Sequence, residues 1–354
     1  MDAITFKPHY FKRLLAICTG GVTLHHSSIM RVKSIPKVNT MKKICFAALA
    51  CLVLHSGIAQ KPDSVFMFSY FKDNGQDGLH LAYSADGFSW TALNKDSSIL
   101  QPAVAKDKLM RDPCIVRGAD NIFHMVWTVS WNDGGIGYAS SKDLVHWSQQ
   151  QFIPVMKDEP TARNCWAPEI FYDKSTGTYM IYWATTIPGR FLEGDTAGDD
   201  KYNHRMYYVT TKDFTTFSKT SLLYSHGFNI IDATIQQEGK RFVMFLKDET
   251  KRPPQKNIRI AFSDQLTGGY SKPSAPVTGN YWAEGPTAIK INGIWVVYFD
   301  KYTQHTYGAV RSPDLVNWTD ISDSVHFPAG TRHGTVFRIT QQEFDYLKKA
   351  LPMQ

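Results

Sequence analysis

Three acidic residues, Asp112, Asp232 and Glu284, stand where short apolar segments begin: "RDPCIV", "IIDATI" and "AEGPTAIK". A lone aspartate at such a position is usually a turn residue, but a recurring carboxylate suggests a shared task. Carboxylates that meet in one pocket can hydrolyse a glycosidic bond: one protonates the leaving oxygen, a second activates water or attacks, and a third adjusts the first. The sequence has no glycine-rich phosphate loop, nucleophile elbow or His-Glu-x-x-His motif that would indicate another chemistry.

The elements that must position these carboxylates form a repeat. A strand, a polar turn and a closing aromatic recur five times: "LAYSADGFSW", "GYASSKDLVHW", "YVTTKDFTTF", "IAFSDQLTGGY" and "GAVRSPDLVNW". The turns are built around Asp86, Asp143, Asp213, Asp264 and Asp314, which are 57, 70, 51 and 50 residues apart. These lengths suit four short antiparallel strands per unit.

The order of strands predicts a closed ring. An apolar strand precedes every turn unit, and a further strand precedes four of them; the first unit lacks this earliest strand. The segment "HGTVFRIT" at 333–340 follows the last turn unit and can supply it. We therefore predict an all-β fold, a five-bladed β-propeller closed by the C-terminal strand. A two-sheet sandwich, the alternative, gives no reason for five similar units.

In a propeller the first strand of each blade lines the central channel, so the starts of those strands meet. The residues at these starts are Asp112, the segment 167–169, Asp232, Glu284 and His333. Clustered carboxylates raise at least one pKa, which is typical of a functional site. Trp166 and Trp282 flank two of these starts and could stack on a sugar ring, although each is equally a candidate for the core.

The N-terminal region predicts export. Residues 41–59, "MKKICFAALACLVLHSGIA", place two lysines before a short apolar run that ends in small residues, which is typical of a signal peptide. A buried helix is the alternative; the run is short for a membrane span. Met41 would then be the true start, residues 1–40 an upstream extension outside the protein, and 60–354 one catalytic domain in the periplasm or outside the cell.

Charge and cysteine content exclude other classes. The formal net charge is +7, but residues 1–59 hold eight lysines or arginines against one aspartate, so the remaining chain is neutral. A nucleic-acid partner therefore has no support. Only Cys114 and Cys165 lie beyond the leader; a zinc site is not expected, and a disulfide between them stays open because spacing does not establish its geometry.

Together with "NCWAPEIFY" and "RHGTVF", the three motifs above, in this order, resemble glycoside hydrolase family 43, the arabinofuranosidase and β-xylosidase group. The resemblance covers about residues 63–345 and implies a five-bladed propeller that hydrolyses its substrate with inversion. It implies that Asp112 is the general base, that Glu284 is the general acid, and that Asp232 orients substrate and tunes the acid. The substrate would be a terminal α-L-arabinofuranosyl or β-D-xylosyl group of a plant polysaccharide or oligosaccharide.

The resemblance also suggests secondary roles. Glu169 would bind a sugar hydroxyl or serve structurally, and Arg332 would reach a hydroxyl or remain in solvent. His333 would lie near the channel axis, either as a structural hydrogen-bonding group or beside a structural calcium; no cofactor is required. As an acid Glu284 needs a raised pKa, which we expect charged Asp232 to supply. A non-catalytic carbohydrate-binding propeller is the alternative function, and the insertion at 187–205 is the expected pocket rim.

Overall fold

The computed structural model describes residues 64–192 and 202–352. The predicted upstream extension and signal peptide lie outside the described residues, as does part of the predicted rim insertion. In the described ranges, no helix has the length and apolar character needed to cross a membrane.

Besides two short 3₁₀ helices, at Asn94–Asp96 and Ser322–Ser324, the described residues contain nineteen strands and a C-terminal α-helix. In chain order they are β1 (Ser64–Phe71), β2 (His80–Ser84), β3 (Thr91–Ala92), β4 (Arg111–Arg117), β5 (Phe123–Thr128), β6 (Ile136–Ser141), β7 (Gln151–Ile153), β8 (Trp166–Asp173), β9 (Thr178–Thr185), β10 (Arg205–Thr211), β11 (Ser221–Tyr224), β12 (Ile230–Glu238), β13 (Arg241–Asp248), β14 (Asn257–Ser263), β15 (Glu284–Ile291), β16 (Ile294–Lys301), β17 (Thr306–Ser312), β18 (Thr319–Asp320), β19 (Arg332–Thr340) and α1 (Gln341–Ala350).

These strands form five antiparallel sheets, the blades of a β-propeller. Their orders are β19-β1-β2-β3, β4-β5-β6-β7, β8-β9-β10-β11, β12-β13-β14 and β15-β16-β17-β18. The last strand pairs with the first along its length, from Ser64 opposite Thr340 to Phe71 opposite Arg332. The predicted fold and its closure by the C-terminal strand are therefore confirmed.

The fourth blade departs from the predicted four strands, because its described part contains three. A segment at 271–277 runs beside β14, and three of its amides donate to β14 carbonyls. Pro273 and Pro276 lie within this segment and have no N–H to donate. A regular ladder cannot form there, so the outer strand is replaced by an irregular extended segment.

The predicted turn aspartates order four of the five turns. Asp86, Asp143, Asp213 and Asp314 each accept hydrogen bonds from the backbone amides two and three residues ahead, at 2.7–3.0 Å. In these turns a serine or threonine two residues earlier caps the aspartate amide. In the fourth turn Ser263 caps Gln265 instead, so Asp264 lies one residue too early to fill the role that we predicted for it.

Large apolar side chains pack between neighbouring blades. Trp127 of β5 and Trp183 of β9 are fully buried, each in a separate apolar cluster that joins adjacent sheets. Replacing a buried tryptophan by alanine destabilises a protein by about 3–5 kcal/mol, so these contacts hold the blades in fixed angular positions. The innermost strands are thereby fixed around the channel where the predicted site residues lie.

Candidate active site

A β-bulge recurs at the start of the innermost strand in blades two to five. The strand register shifts between Arg111 and Cys114, Trp166 and Glu169, Ile231 and Thr234, and Glu284 and Thr287. The bulge residues have positive φ angles: Asp112 at 53°, Ala167 at 46°, Asp232 at 53° and Gly285 at 59°. A non-glycine residue in this conformation is strained, and bulges of this kind redirect side chains near active sites.

The sequence suggested that the three carboxylates occupy equivalent positions at their strand starts, and the bulges show that they do not. Asp112 and Asp232 occupy the bulge position itself, whereas Glu284 precedes its bulge and corresponds to Arg111 in β4. Gly285 fills the bulge position of β15, and a Cβ atom there would lie 2.4 Å from His333 Cγ. Glycine at this point therefore allows the carboxylate of Glu284 and the ring of His333 to share the channel mouth.

Most of the predicted site residues line one cavity of about 220 Å³. They are Asp112, Trp166, Asp232, Glu284, Arg332 and His333. Three larger surface grooves, of about 350, 590 and 950 Å³, contain none of the predicted site residues. The structure therefore brings the three predicted catalytic carboxylates together in one place.

Asp112 is held as a carboxylate. Thr128 Oγ1 donates to Asp112 Oδ2 at 2.7 Å, and His333 Nδ1 lies 3.4 Å from Oδ1. The Thr128 hydroxyl is itself fixed by the amide of Ala167 at 2.8 Å. Burial alone would raise the pKa of Asp112, but His333, Arg111 and Thr128 together lower it to about 2. Asp112 is therefore ionised at any ordinary working pH.

Asp232 is a buried carboxylate with a raised pKa. The amide of Gly285 donates to its Oδ2 at 3.0 Å, and His333 Nδ1 lies 3.9 Å from that oxygen. Burial is the main cause that raises the pKa of Asp232 to about 6; the charge of Glu284 adds to it, while His333 and Lys247 oppose it. A proton is therefore available at this residue in mildly acidic solution.

His333 supplies a positive charge between the two aspartates. Burial lowers its pKa, but Asp232 and Asp112 outweigh burial and raise the pKa to about 9. The ring is therefore protonated at neutral pH. Within 64–192 and 202–352 no group of three acidic, histidine or cysteine side chains is arranged to hold a metal ion. The structural calcium expected beside His333 stays a prediction.

Glu284 does not have the raised pKa that we expected. Lys247 Nζ donates to its Oε2 at 2.9 Å, and Arg332 Nη2 donates to its Oε1 at 3.2 Å. Burial raises the pKa of Glu284, but Lys247, Arg332 and His333 together lower it below its usual range. The expectation was wrong because it considered the repulsion from Asp232 and omitted these neighbouring cations.

The two cations beside Glu284 continue into further ion pairs. Lys247 Nζ also lies 2.6 Å from Glu249 Oε2, and Arg332 Nε donates to Asp300 Oδ2 at 2.6 Å. Burial and the charge of Glu284 raise the pKa of Asp300 to about 6. Glu284 thus stands at the centre of a row of alternating charges, and Lys247 has a second carboxylate within reach.

Glu169 does not line the cavity. It lies two residues beyond the bulge position of β8, where Thr234 Oγ1 and Thr335 Oγ1 donate to its two carboxylate oxygens at 3.1 and 3.2 Å. Burial raises its pKa to about 7. The predicted contact with a sugar hydroxyl is not supported, whereas the structural alternative agrees with these bonds across three blades.

Neither predicted aromatic lies in the core. Trp166 is partly exposed on the cavity wall, edge-to-face with Trp131 at 5.5 Å between ring centroids, and its Nε1 donates to the Trp131 carbonyl. Trp282 is 38% exposed and lies outside the cavity wall, 6.0 Å from the ring of Tyr302. Tyr302 in turn lies under Lys247, with 4.7 Å between Nζ and the ring centroid. Trp282 is thus a rim residue beside the Glu284 side of the site.

The two cysteines are free and buried. The amide of Ile170 donates to Cys114 Sγ at 3.4 Å, and Thr185 Oγ1 donates to Cys165 Sγ at 3.9 Å. The disulfide that the sequence left open is not formed.

Sequence reasoning missed six residues of the cavity wall: Arg111, Thr128, Trp131, Ile231, Lys247 and Glu249. Lys247 gave the clearest signal, since it follows the apolar run "FVMFL" in an inner strand, where a charged residue needs a buried partner. Arg111 stands immediately before the predicted base. Thr128 and Trp131 have no pattern in the sequence that would distinguish them from other strand and turn residues.

Comparison with known proteins identifies the class. A family model described as a probable glycosyl hydrolase domain, related to glycoside hydrolase family 43, matches residues 62–345. The chain therefore belongs to this glycosyl hydrolase family, as the resemblance of the motifs predicted.

Among curated proteins, an α-L-arabinofuranosidase of Bifidobacterium longum subsp. longum is 25% identical over 181 residues. The match covers 43% of this chain and 16% of that relative, so the chain spans a small part of it. Among solved structures, an α-L-arabinofuranosidase from Lactobacillus brevis matches with a TM-score of 0.47 and 20% identity, over 60% of this chain and 72% of that one. A family 43 protein from Bacillus licheniformis matches with a TM-score of 0.44 and 20% identity, over 60% and 41%.

Proposed function

We propose that the protein is an inverting glycoside hydrolase that removes terminal α-L-arabinofuranosyl or β-D-xylosyl groups from plant cell-wall polysaccharides or oligosaccharides. The observation that carries the proposal is the meeting of Asp112, Asp232 and Glu284, from three different blades, in one cavity. Membership of the glycosyl hydrolase family supports the reaction class. The sugar is proposed from the motif resemblance and from the name of the B. longum relative.

In the proposed reaction Asp112 removes a proton from water. The water oxygen forms a bond to the anomeric carbon on the face opposite the leaving group. The bond from that carbon to the glycosidic oxygen breaks, and the oxygen takes a proton from Glu284, so the configuration inverts. The low pKa of Asp112 means that it is present as a base, because a carboxylate must be unprotonated to accept a proton.

Glu284 needs a proton for this role, and its two cationic neighbours oppose protonation. Lys247 lies within bonding distance of both Glu284 and Glu249, at 2.9 and 2.6 Å. We infer that bound substrate shifts the lysine toward Glu249, which releases one oxygen of Glu284 for a proton. The charges of Asp232 and Glu284 repel each other, so ionised Asp232 favours the protonated form of Glu284. It is in this sense that Asp232 tunes the acid.

The size of the cavity supports cleavage at a chain end. Sites for drug-sized ligands occupy roughly 300–1,000 Å³, and this cavity of about 220 Å³ is smaller. One pentose unit is therefore the proposed occupant, with the partly exposed ring of Trp166 on the wall as a surface for stacking.

A second candidate, a non-catalytic carbohydrate-binding propeller, is favoured by the ion pairs that hold Glu284 in its charged form. The two candidates are separated by incubating the protein with 4-nitrophenyl α-L-arabinofuranoside and β-D-xyloside, then with branched and linear arabinan and xylan. Release of product, with no release by an Asp112→Asn variant, supports the hydrolase. Binding of arabinose or xylose in calorimetry without release from any substrate would instead support the binding protein.

We also propose that the mature protein begins near Gln60 and is exported, with residues 41–59 as signal peptide and 60–354 as one domain. The charge and apolar pattern of 41–59 supports this proposal. Terminal sequencing of protein from the native host tests it, and a mature chain that retains residues 1–40 would contradict it.

A further inference from the structure

A partly buried arginine on the cavity wall, Arg111, forms no ion pair with a carboxylate of the described residues. Arg111 lines the cavity, and its Nη1 donates to Asn74 Oδ1 at 3.0 Å. Its guanidinium lies between two aromatic rings, 4.7 Å from the centroid of Phe71 and 4.3 Å from that of Trp131. Asn74 Oδ1 also accepts from Trp131 Nε1 at 3.1 Å, so one amide fixes both the cation and the ring. We call Arg111, Trp131, Phe71 and Asn74 the arginine platform.

The other cations on the cavity wall are each near a carboxylate within the site. Lys247, Arg332 and His333 all have one within 4 Å. For Arg111, the described ranges 64–192 and 202–352 hold the single bond to Asn74 and no ion pair. The charge of Asp112 stabilises the Arg111 guanidinium without forming an ion pair with it. A guanidinium that is partly removed from water and forms no direct ion pair gains free energy from an anion that enters the cavity. The planar fork of arginine suits a carboxylate in particular.

Trp131 adds the second half of a recognition surface. It is 43% exposed at the cavity, and Arg111 lies over its ring. Exposed tryptophan faces stack on the C–H surfaces of sugar rings, and a carboxylate on such a sugar would come within reach of Arg111. The platform therefore combines an apolar surface with a fixed cation. A neutral sugar would contact the apolar surface but would have no charge to pair with the cation.

We propose that the arginine platform is a subsite for an acidic sugar, a uronic acid unit of the substrate whose carboxylate pairs with Arg111 while its ring stacks on Trp131. The subsite deepens the proposed function and rests on it for the view that the cavity takes carbohydrate. It defines the substrate class as an oligosaccharide that carries both the cleaved sugar and a uronate.

The test compares two matched pairs of probes in titration calorimetry: methyl β-D-glucuronoside with methyl β-D-glucoside, and methyl α-D-galacturonoside with methyl α-D-galactoside. Members of a pair differ only at C6. We expect the acidic member of at least one pair to bind about tenfold more tightly at low ionic strength, and less so at high salt, because the pairing is electrostatic.

Variants assign that preference to the platform. Arg111→Gln should reduce the ratio of the two affinities to about one, and Arg111→Lys should restore part of it, since lysine keeps the charge but not the fork. Trp131→Ala should weaken both members and leave their ratio. Arg241→Gln is the matched control: Arg241 is an exposed arginine that lies 4.5 Å from the Phe262 ring centroid, outside the cavity, and the ratio should survive its loss.

Equal binding within both pairs, or a preference that survives Arg111→Gln in a protein with an unchanged melting temperature, overturns the subsite. Because binding is measured without turnover, these outcomes are independent of the proposed hydrolysis. Acid-selective binding without release of any sugar would contradict the hydrolase and keep the subsite. Hydrolysis without acid-selective binding would support the hydrolase and contradict the subsite.

Discussion

The carboxylates on the two sides of the cavity have different hydrogen-bonding and charged partners. On one side Asp112 receives a hydroxyl hydrogen bond from Thr128 and the charge of His333, an arrangement that stabilises the ionised form and leaves one task, to accept a proton. On the other side Glu284 is also held ionised, by Lys247 and Arg332, although its proposed task is to give a proton away. The surroundings of Asp112 therefore suit its proposed role, whereas those of Glu284 oppose its proposed role, and we propose that binding of substrate changes them.

The largest effect is expected on the base side. Asp112→Asn should reduce kcat/KM by about 10²–10⁴-fold on both 4-nitrophenyl α-L-arabinofuranoside and a natural arabino-oligosaccharide, because water must be activated whatever group leaves. Asp173→Asn, on an exposed hairpin of β8, is the control and should leave the rates unchanged. A loss confined to the natural substrate would contradict the assignment of Asp112 as base.

The loss of activity on replacing Glu284 should depend on the leaving group of the substrate. Glu284→Gln should reduce kcat/KM on the natural substrate by about 10²–10⁴-fold and on the aryl glycoside far less, since a nitrophenolate leaves with little protonation. The same two substrates are compared in both variants. If Glu284→Gln and Asp112→Asn depended on the leaving group in the same way, the roles of the two residues would not differ as proposed.

Removing a cation beside Glu284 should raise the pKa of Glu284, as expected for a buried carboxylic acid with fewer positive neighbours. Lys247→Met removes one of two positive charges at hydrogen-bond distance from Glu284, so the pKa of Glu284 should rise by about 1–3 units. A general acid loses activity as the pH rises through its pKa, so the alkaline limb of the pH–rate profile should move to higher pH. The matched control is Lys290→Met, which removes a cation that pairs with Glu238 and does not line the cavity.

A downward shift, or an unchanged profile in a folded Lys247→Met protein, would show that Lys247 does not control the acid. The melting temperature of each variant is measured alongside, because Glu249 and Glu284 both lose a buried partner in it.

The smallest shift is expected from Asp232→Asn. Its charge opposes the cations around Glu284, so its removal should lower the pKa of Glu284 further and move the alkaline limb to lower pH, opposite to the shift in Lys247→Met. The rate should also fall, because the amide of Gly285 loses its carboxylate acceptor. An upward shift of the limb would mean that Asp232 itself is the titrating acid.

Much of the architecture could be predicted from the sequence. The five turn units and the displaced strand at 333–340 contain the propeller and its closure, because both depend on local pattern and strand order. Local pattern also explains where the prediction fell short. Pro273 and Pro276 are visible in the sequence as residues that cannot join a ladder, and the early position of Asp264 is visible in its spacing from Ser263.

The electrostatics of the site could not be predicted in the same way. The carboxylates were recognisable since each begins a strand, but the pKa of Glu284 depends on Lys247, which opposes Ile231 in the neighbouring blade, and on Arg332 from the closing strand. Such pairings follow from the blade angles and from the bulges, which no single segment encodes.

The position of the closing strand β19 determines when the propeller and its site can be completed. β1 precedes every other strand in the chain and its partner β19 follows all of them, so the edge of β1 stays unpaired until the rest of the propeller has been synthesised. Arg332 and His333 belong to that strand. Until it docks, Asp112 lacks its imidazolium and Glu284 lacks one of its cations. Before β19 docks, four blades are complete but their carboxylates lack these counter-charges. The charge arrangement of the site is therefore completed in the same step that closes the ring.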